Sequence, residues 1–287
     1  MAGAQQYPAG ALYVVATPIG NLADLSLRAV HVLALADAVA CEDTRHSAPL
    51  LRHLGLDKPM LAVHQHNERD AAPAVLVRLA RGERVAYVSD AGTPALSDPG
   101  AALVAAVREA GFRVLPIPGT SAALAALSVA GDVQATAFRF AGFLPTKAGE
   151  RSQALVALLA EADAQVLFEA PHRIEALCAA LALGCPQRSV TLCRELTKQF
   201  ETVVTLPAAE LPAWIGADAN RQRGEFVLVL HAVQAAPAEG EDHARTLRPL
   251  LAALPLKQAV AIAVELTGAP RNVLYARALA LRDSTPT

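Results

Sequence analysis

Five short apolar runs recur through the first half of the chain, each ending in a polar turn and followed by a stretch with helical spacing. This alternation constrains the fold more than any other feature. The runs Leu12 to Ala16, Ala38 to Cys41, Met60 to Val63, Val85 to Val88 and Val114 to Ile117 read as strands. Strands separated by helices predict a mostly parallel, layered sheet whose ligand crevice lies at the carboxyl ends of the strands. The unusual polar residues fall at those ends: Thr17-Pro-Ile-Gly-Asn21, Glu42-Asp-Thr-Arg45, His64-Gln-His-Asn67, Ser89-Asp-Ala-Gly-Thr-Pro94 and Pro118-Gly-Thr-Ser121.

After Gly131 the pattern changes. Strands are predicted at Phe138 to Phe143, Gln165 to Phe168, Ser189 to Cys193, Thr202 to Leu206 and Glu225 to Leu230, with helices around Gln153 to Glu161 and Pro171 to Leu183. This reads as an α+β or mixed-sheet domain. Gln234 to Asp242 has linker chemistry and no apolar period. Helices at Thr246 to Ala253, Lys257 to Leu266 and Asn272 to Leu281, with a Gly-Ala-Pro turn before the last, suit a small helix-turn-helix-like module. The expected domains are therefore residues 11–131, 132–233 and 244–282 of 287.

Hydrophobic residues make up 53% and charged residues 18%, which excludes a disordered or low-complexity chain. Every apolar run stops short of the ~20 residues that a membrane helix requires. No Lys or Arg precedes Arg28, so the charged start of a secretory or transit peptide is missing and the cytoplasm is expected. Cys41, Cys178, Cys185 and Cys193 form no Cys-x-x-Cys pair and read as core thiols. Charge is uneven. From Ala244 to Arg282 six bases face one acid, a net of +5, while the remaining 19 bases and 26 acids leave −7. A basic appendage on an acidic body points to an anionic partner met at one end.

No dinucleotide fingerprint, phosphate loop, His-Glu-x-x-His or Gly-x-Ser-x-Gly is present, which disfavours a dehydrogenase, NTPase, metalloprotease or hydrolase. In the Ser89 turn, Asp90 can hold a ribose hydroxyl or a cationic amine and Gly92 admits a ligand close to backbone; a capped turn explains the residues equally well. Thr120 and Ser121 open a helix whose free amides suit a carboxylate or phosphate, or they simply cap it. Ser97-Asp-Pro-Gly100 reads as the capped start of a helix from Gly100 to Ala110. Arg45 suits a phosphate and Asp43 an orienting or proton-accepting role, against helix capping by Asp43 or Thr44. His64-Gln-His66 is read as loop hydrogen bonding rather than a metal pair, so no metal is expected.

Eight motifs occur in order: Thr17-Pro-Ile-Gly-Asn-Leu, Glu42-Asp-Thr-Arg, Ser89-Asp-Ala-Gly-Thr-Pro, Pro118-Gly-Thr-Ser-Ala, Gly142-Phe-Leu-Pro, Pro171-His-Arg, Arg194-Glu-Leu-Thr-Lys and Gly224-Glu. Together they resemble the ribosomal RNA 2'-O-ribose branch of the tetrapyrrole methylase superfamily, over essentially the whole chain. The resemblance implies a two-domain α/β fold, a small C-terminal helical domain, and S-adenosylmethionine bound between the halves of a homodimer. It carries Pro18, Asp90, Gly92, Thr93, Thr120 and Ser121 onto cofactor motifs, with Phe168, Leu196, Glu225 and Phe226 approaching from the second domain. It further implies methylation of a ribose 2'-hydroxyl on a decoding-centre cytidine of 16S rRNA in the 30S subunit.

Such a hydroxyl must lose its proton during attack, and Asp43, Glu42 and His64 are the candidate bases. Arg45, Arg173, Arg194, Lys198 and the basic tail are the candidate RNA contacts. Two alternatives use the same motifs: a methylase of a corrin or porphyrin precursor, and a non-catalytic ribosome assembly factor. The +5 tail favours RNA over the small molecule.

Overall fold

The computed structural model describes residues 5–64, 67–233 and 243–283. The chain divides into two compact units, Met1–Val233 and Gln234–Thr287.

The first unit holds two five-stranded sheets. Strands β1 (Ala11–Val15), β2 (Ala38–Cys41), β3 (Met60–Ala62), β4 (Arg84–Val88) and β5 (Arg113–Ile117) form the first, all parallel, in the order β3-β2-β4-β1-β5. Side chains alternate between its faces. Ala11, Tyr13 and Val15 pack with Ala29, Val32 and Leu33 of α1 (Leu27–Leu35) and Leu51 of α2 (Thr44–His53). Leu12, Val85 and Tyr87 pack on the other face against Val75 and Leu79 of α3 (Glu68–Ala80) and Leu103 and Val107 of α4 (Ala101–Glu109). Burial of β1, β2 and β4 on both faces is why they read as nearly unbroken apolar runs, while the edge strands β3 and β5 are partly exposed. Full burial of each such Leu contributes roughly 1.5–3 kcal/mol.

The second sheet consists of β6 (Phe138–Phe143), β7 (Ala164–Glu169), β8 (Ser189–Arg194), β9 (Thr202–Pro207) and β10 (Phe226–Leu230), in the order β6-β7-β10-β8-β9. Only β6 and β7 pair in parallel, so the sheet is mixed. Helix α5 (Ala122–Ala130), which follows β5, lays Ala123, Ala126 and Ala130 on Val166, Cys193, Val227 and Val229 of this sheet. Those small side chains let the helix lie close to the strands. The other face is covered by α6 (Ala148–Leu159), α7 (Ile174–Gly184) and the short α8 (Leu211–Gly216), which no periodicity in the sequence had marked.

One helix start departs from expectation. Helix α4 begins at Ala101, and its N-terminal amides at Ala102 and Leu103 donate to Glu68 Oε2 at 2.9 and 3.4 Å. Gly100 has φ +128°, and a Cβ there would sit 2.4 Å from Tyr87 Cε1. Ser97 and Asp98 are therefore not the cap that Ser97-Asp-Pro-Gly100 suggested: a carboxylate from α3 fills that role. The cysteines match expectation, with Cys41, Cys178 and Cys193 buried and all four thiols free. Burial pushes the Cys178 and Cys193 thiols up to about 12.

The second unit contains α9 (His243–Ala253), α10 (Leu256–Thr267) and α11 (Arg271–Asp283), packed around Leu247, Val260, Ala263, Leu274 and Ala278. Gly268, at φ +69°, ends α10 in the left-handed conformation expected of a C-terminal glycine. Arg245, Arg248, Lys257, Arg271, Arg277 and Arg282 are all exposed. The predicted linker Gln234 to Asp242 lies outside the described residues. Among the described residues no helix is long and apolar enough to cross a membrane.

Candidate functional site

The turns at the carboxyl ends of the parallel strands are tied to one another. Thr17 and Gly92 exchange backbone hydrogen bonds of 2.8 and 3.0 Å. The Thr93 hydroxyl donates to the Thr120 carbonyl at 2.8 Å, and the Thr120 hydroxyl donates to the Thr17 carbonyl. Gly92 adopts φ +80°, which only glycine takes without strain, and a Cβ there would lie 3.4 Å from Ile19. Three loops distant in sequence thus form one rigid rim.

Against this rim lies a cavity of about 330 Å³. Gly92, Thr93, Asp98 and Ser121 line it from the first half, and Phe143, Phe168, Glu169, Glu225 and Phe226 from the second. Phe168 meets Phe143 and Phe140 edge to face, with ring centroids 5.6 and 5.1 Å apart. Two buried polar atoms in the wall have no partner among the described residues. Ser121 stands at the N-terminus of α5 yet makes no side-chain cap bond, and its Oγ is buried and unpaired. Glu169 is 2% exposed; its Oε1 accepts from the Ala170 amide at 2.9 Å, while Oε2 is unpaired. Buried polar atoms left without partners cost stability unless something meets them, so these two are the atoms of the wall with hydrogen-bonding capacity to offer a ligand. Burial pushes the Asp98 carboxyl up to about 6, the Ser89 side chain opposes the shift, and repulsion from Glu42 and Asp90 adds to it.

Glu42 and Asp90 belong to a second, more open cavity lined also by Asp43, Thr44, Arg45, Ala62 and His64. Asp43 caps α2 by accepting from the Arg45 amide at 2.8 Å, and it takes the Arg45 guanidinium fork at 2.6 and 3.0 Å. That fork holds the Asp43 carboxyl down to about 2. Asp90 Oδ1 accepts from the Asp43 amide at 3.2 Å, and Oδ2 lies 2.9 Å from His46 Nδ1. The His64 amide donates to Asn67 Oδ1 at 2.7 Å, closing that turn; His66 lies outside the described residues.

Of the ten candidate cofactor residues, Gly92, Thr93, Ser121, Phe168, Glu225 and Phe226 line the main cavity. Asp90 lies in the second cavity, and Thr120 supports the rim through its hydrogen bonds. Leu196 packs in the core beneath α5, and Ile19, not its neighbour Pro18, reaches the cavity. Three candidate RNA-binding residues are engaged within the fold. Arg173 donates to the Leu144 carbonyl at 2.8 Å and its Nε lies 3.0 Å from Glu169. Arg194 donates to the Arg223 and Phe200 carbonyls at 2.7 and 2.9 Å, and Lys198 pairs with Glu195 and Glu225 at 3.0 and 2.7 Å. Arg45, the fourth, has its fork on Asp43 but keeps 88% of its side chain exposed. Asp98 and Glu169 were missed because one resembled a helix cap and the other the end of a strand. No local signal separates Asp98 from a cap; the contact that does is the one from Glu68 to the first amides of α4.

A parallel sheet and a mixed sheet enclosing one apolar, acid-rimmed pocket define a two-sheet α/β protein that binds a small organic ligand at its strand ends. Residues 11–212 match the model of the tetrapyrrole (corrin/porphyrin) methylases, and the chain belongs to that family. Residues 237–282 match the RsmI C-terminal HTH domain. Among curated relatives, a ribosomal RNA small subunit methyltransferase I of Pseudomonas aeruginosa is 48% identical over 94% of this chain and 97% of its own length. One of the same name from Neisseria meningitidis serogroup B is 47% identical over 96% and 94%. The fold is shared with cobalt precorrin-4 methyltransferase, at TM-score 0.57 and 18% identity over 78% of this chain and 98% of that one. It is also shared with a uroporphyrin-III C-methyltransferase of Thermus thermophilus solved with S-adenosyl homocysteine, at TM-score 0.52 and 17% identity over 76% and 96%. The family and fold read from the eight motifs hold.

Proposed function

We propose that the chain is an S-adenosylmethionine-dependent methyltransferase that methylates the ribose 2'-hydroxyl of a decoding-centre cytidine in 16S rRNA, acting in the cytoplasm on the 30S subunit as a homodimer. The observation that carries this reading is the pocket's chemistry. Aromatic walls, an unpaired hydroxyl and a rim of carboxylates suit a nucleoside joined to a cationic amino acid. The names of the curated relatives support the substrate class, and the solved neighbour with S-adenosyl homocysteine supports the cofactor.

The cofactor supplies an activated methyl group on a positively charged sulfur. Phe143, Phe168 and Phe226 wall off water, and Asp98 sets a negative field for the cationic end, the charge of Glu169 being met by Arg173. Ser121 Oγ offers the donor a hydrogen bond and the rim that Gly92 and Thr93 hold rigid gives it a fixed wall, and orientation is most of what an in-line transfer demands of a protein. The exposed cations of the C-terminal helices, with Arg45, hold the RNA backbone.

The test uses labelled S-adenosylmethionine and 30S subunits from cells lacking the protein, followed by nucleoside analysis. Label in 2'-O-methylcytidine is expected. Label entering only a corrin or porphyrin precursor overturns the substrate, and absence of calorimetric binding overturns the cofactor.

A further inference from the structure

We infer that His46, oriented by Asp90, is the group that takes the proton from the ribose hydroxyl. The inference rests on the methyltransferase reading above and deepens it. Asp90 Oδ2 lies 2.9 Å from His46 Nδ1, while Oδ1 is fixed by the Asp43 amide at 3.2 Å. A carboxylate at Nδ1 holds the neutral imidazole as the Nδ1–H tautomer and leaves the Nε2 lone pair free to accept a proton. The His46 side chain is 68% exposed, so Nε2 is open to a substrate. Asp90 immediately precedes Ala91 and Gly92 in the wall of the main cavity. Asp90 lines the second cavity and Ala91 and Gly92 the main one, so the two cavities share this turn.

The neighbouring acids serve other purposes. Asp43 is committed to Arg45 and held down to about 2, which makes it a poor proton acceptor near neutral pH. Glu42 is half-buried, its carboxyl raised by burial and by the charge of Asp90, and so faces a substrate less openly than His46. In the step itself, the ribose 2'-oxygen forms a bond to the methyl carbon as the carbon–sulfur bond breaks, and that electron pair remains on sulfur as a neutral thioether. The hydroxyl proton passes to His46 Nε2, Asp90 stabilises the imidazolium, and the proton then leaves to water.

Single-turnover methyl transfer to 30S subunits and calorimetry with S-adenosylmethionine test this together. His46→Ala is expected to slow transfer by about 100-fold or more with cofactor affinity unchanged, and added imidazole to restore part of the rate. Nitrogen-15 NMR of the imidazole is expected to show the Nδ1–H tautomer, lost in Asp90→Asn. Wild-type speed in His46→Ala, a slow variant that imidazole does not rescue, loss confined to Glu42→Gln, or an Nε2–H tautomer in the wild type each overturns the assignment. If the wild type itself transfers no methyl group to 16S rRNA, the functional reading fails and the assignment fails with it. If the wild type transfers and His46→Ala keeps pace, only the assignment fails.

Discussion

Replacing Asp98 by asparagine separates the cost of the pocket from its use. The folded protein raises this carboxyl from 3.8 to about 6, chiefly by burial. The folded state therefore holds the proton more tightly than the unfolded chain, and ionisation opposes folding. The penalty is absent below pH 3.8, grows through the interval and is complete above about pH 6. A displacement of this size corresponds to about 3 kcal/mol, and partial solvent access reduces it to about 1.5 kcal/mol. Asp98→Asn keeps the shape and removes the titration. Thermal unfolding at pH 8 should show its midpoint about 3–6 °C above wild type. The difference should vanish as the pH approaches 4. Affinity for S-adenosylmethionine at pH 8 should fall about tenfold or more, because asparagine cannot supply the negative charge that faces the donor's cationic end. A midpoint difference that does not vary with pH refutes the burial argument. Undiminished affinity refutes the assignment of Asp98 to the cation.

Gly100→Ala forces a Cβ against the Tyr87 ring at a φ of +128°; urea denaturation should show a loss of about 3 kcal/mol or more, with no comparable loss for Gly149→Ala, which has open space around it and no left-handed backbone. Phe168→Ala removes the ring that meets both Phe140 and Phe143, and calorimetry should show cofactor affinity lowered about tenfold or more with RNA affinity retained. Neutralising Arg245, Arg248, Lys257, Arg271, Arg277 and Arg282 together should weaken RNA binding and flatten its salt dependence by about 0.7–0.9 for each phosphate no longer neutralised, leaving cofactor affinity unchanged. An unchanged slope in filter binding over a salt series assigns the RNA-binding surface elsewhere.

The first sheet was legible because its inner strands β1, β2 and β4 are buried on both faces, which prints apolar runs into the sequence, and because each run, including those of the more exposed edge strands β3 and β5, ends in a polar turn. The second sheet was legible too, yet α8 was not: six residues carry too little period to register. The site divided along the same line. Gly92, Thr93 and Ser121 sit in turns whose composition is itself unusual. Arg173 and Arg194 looked like free cations because sequence shows charge but not the carbonyls that a guanidinium satisfies in three dimensions. Asp98 failed in the opposite way. Its local pattern had a complete explanation as a cap, and only the hydrogen bond between Glu68 and α4, 34 residues apart, removes that explanation.

The charge asymmetry takes on a mechanistic meaning once the carboxylates are located. Glu42, Asp90 and Asp98, which no Lys or Arg among the described residues pairs, line the two cavities, and on the function proposed above their field attracts a cationic donor and repels a phosphodiester. An enzyme that must bring both into one site cannot grip the RNA where it grips the cofactor. On the same proposed function, +5 on the C-terminal helical unit and −7 on the rest assign most of the RNA-backbone affinity to those helices, with Arg45 the cation offered beside the crevice, and leave the carboxylates to the donor. On this reasoning, moving positive charge into the crevice, as in Glu225→Lys, should strengthen nonspecific RNA binding while weakening cofactor binding. The two affinities should therefore move in opposite directions when measured side by side.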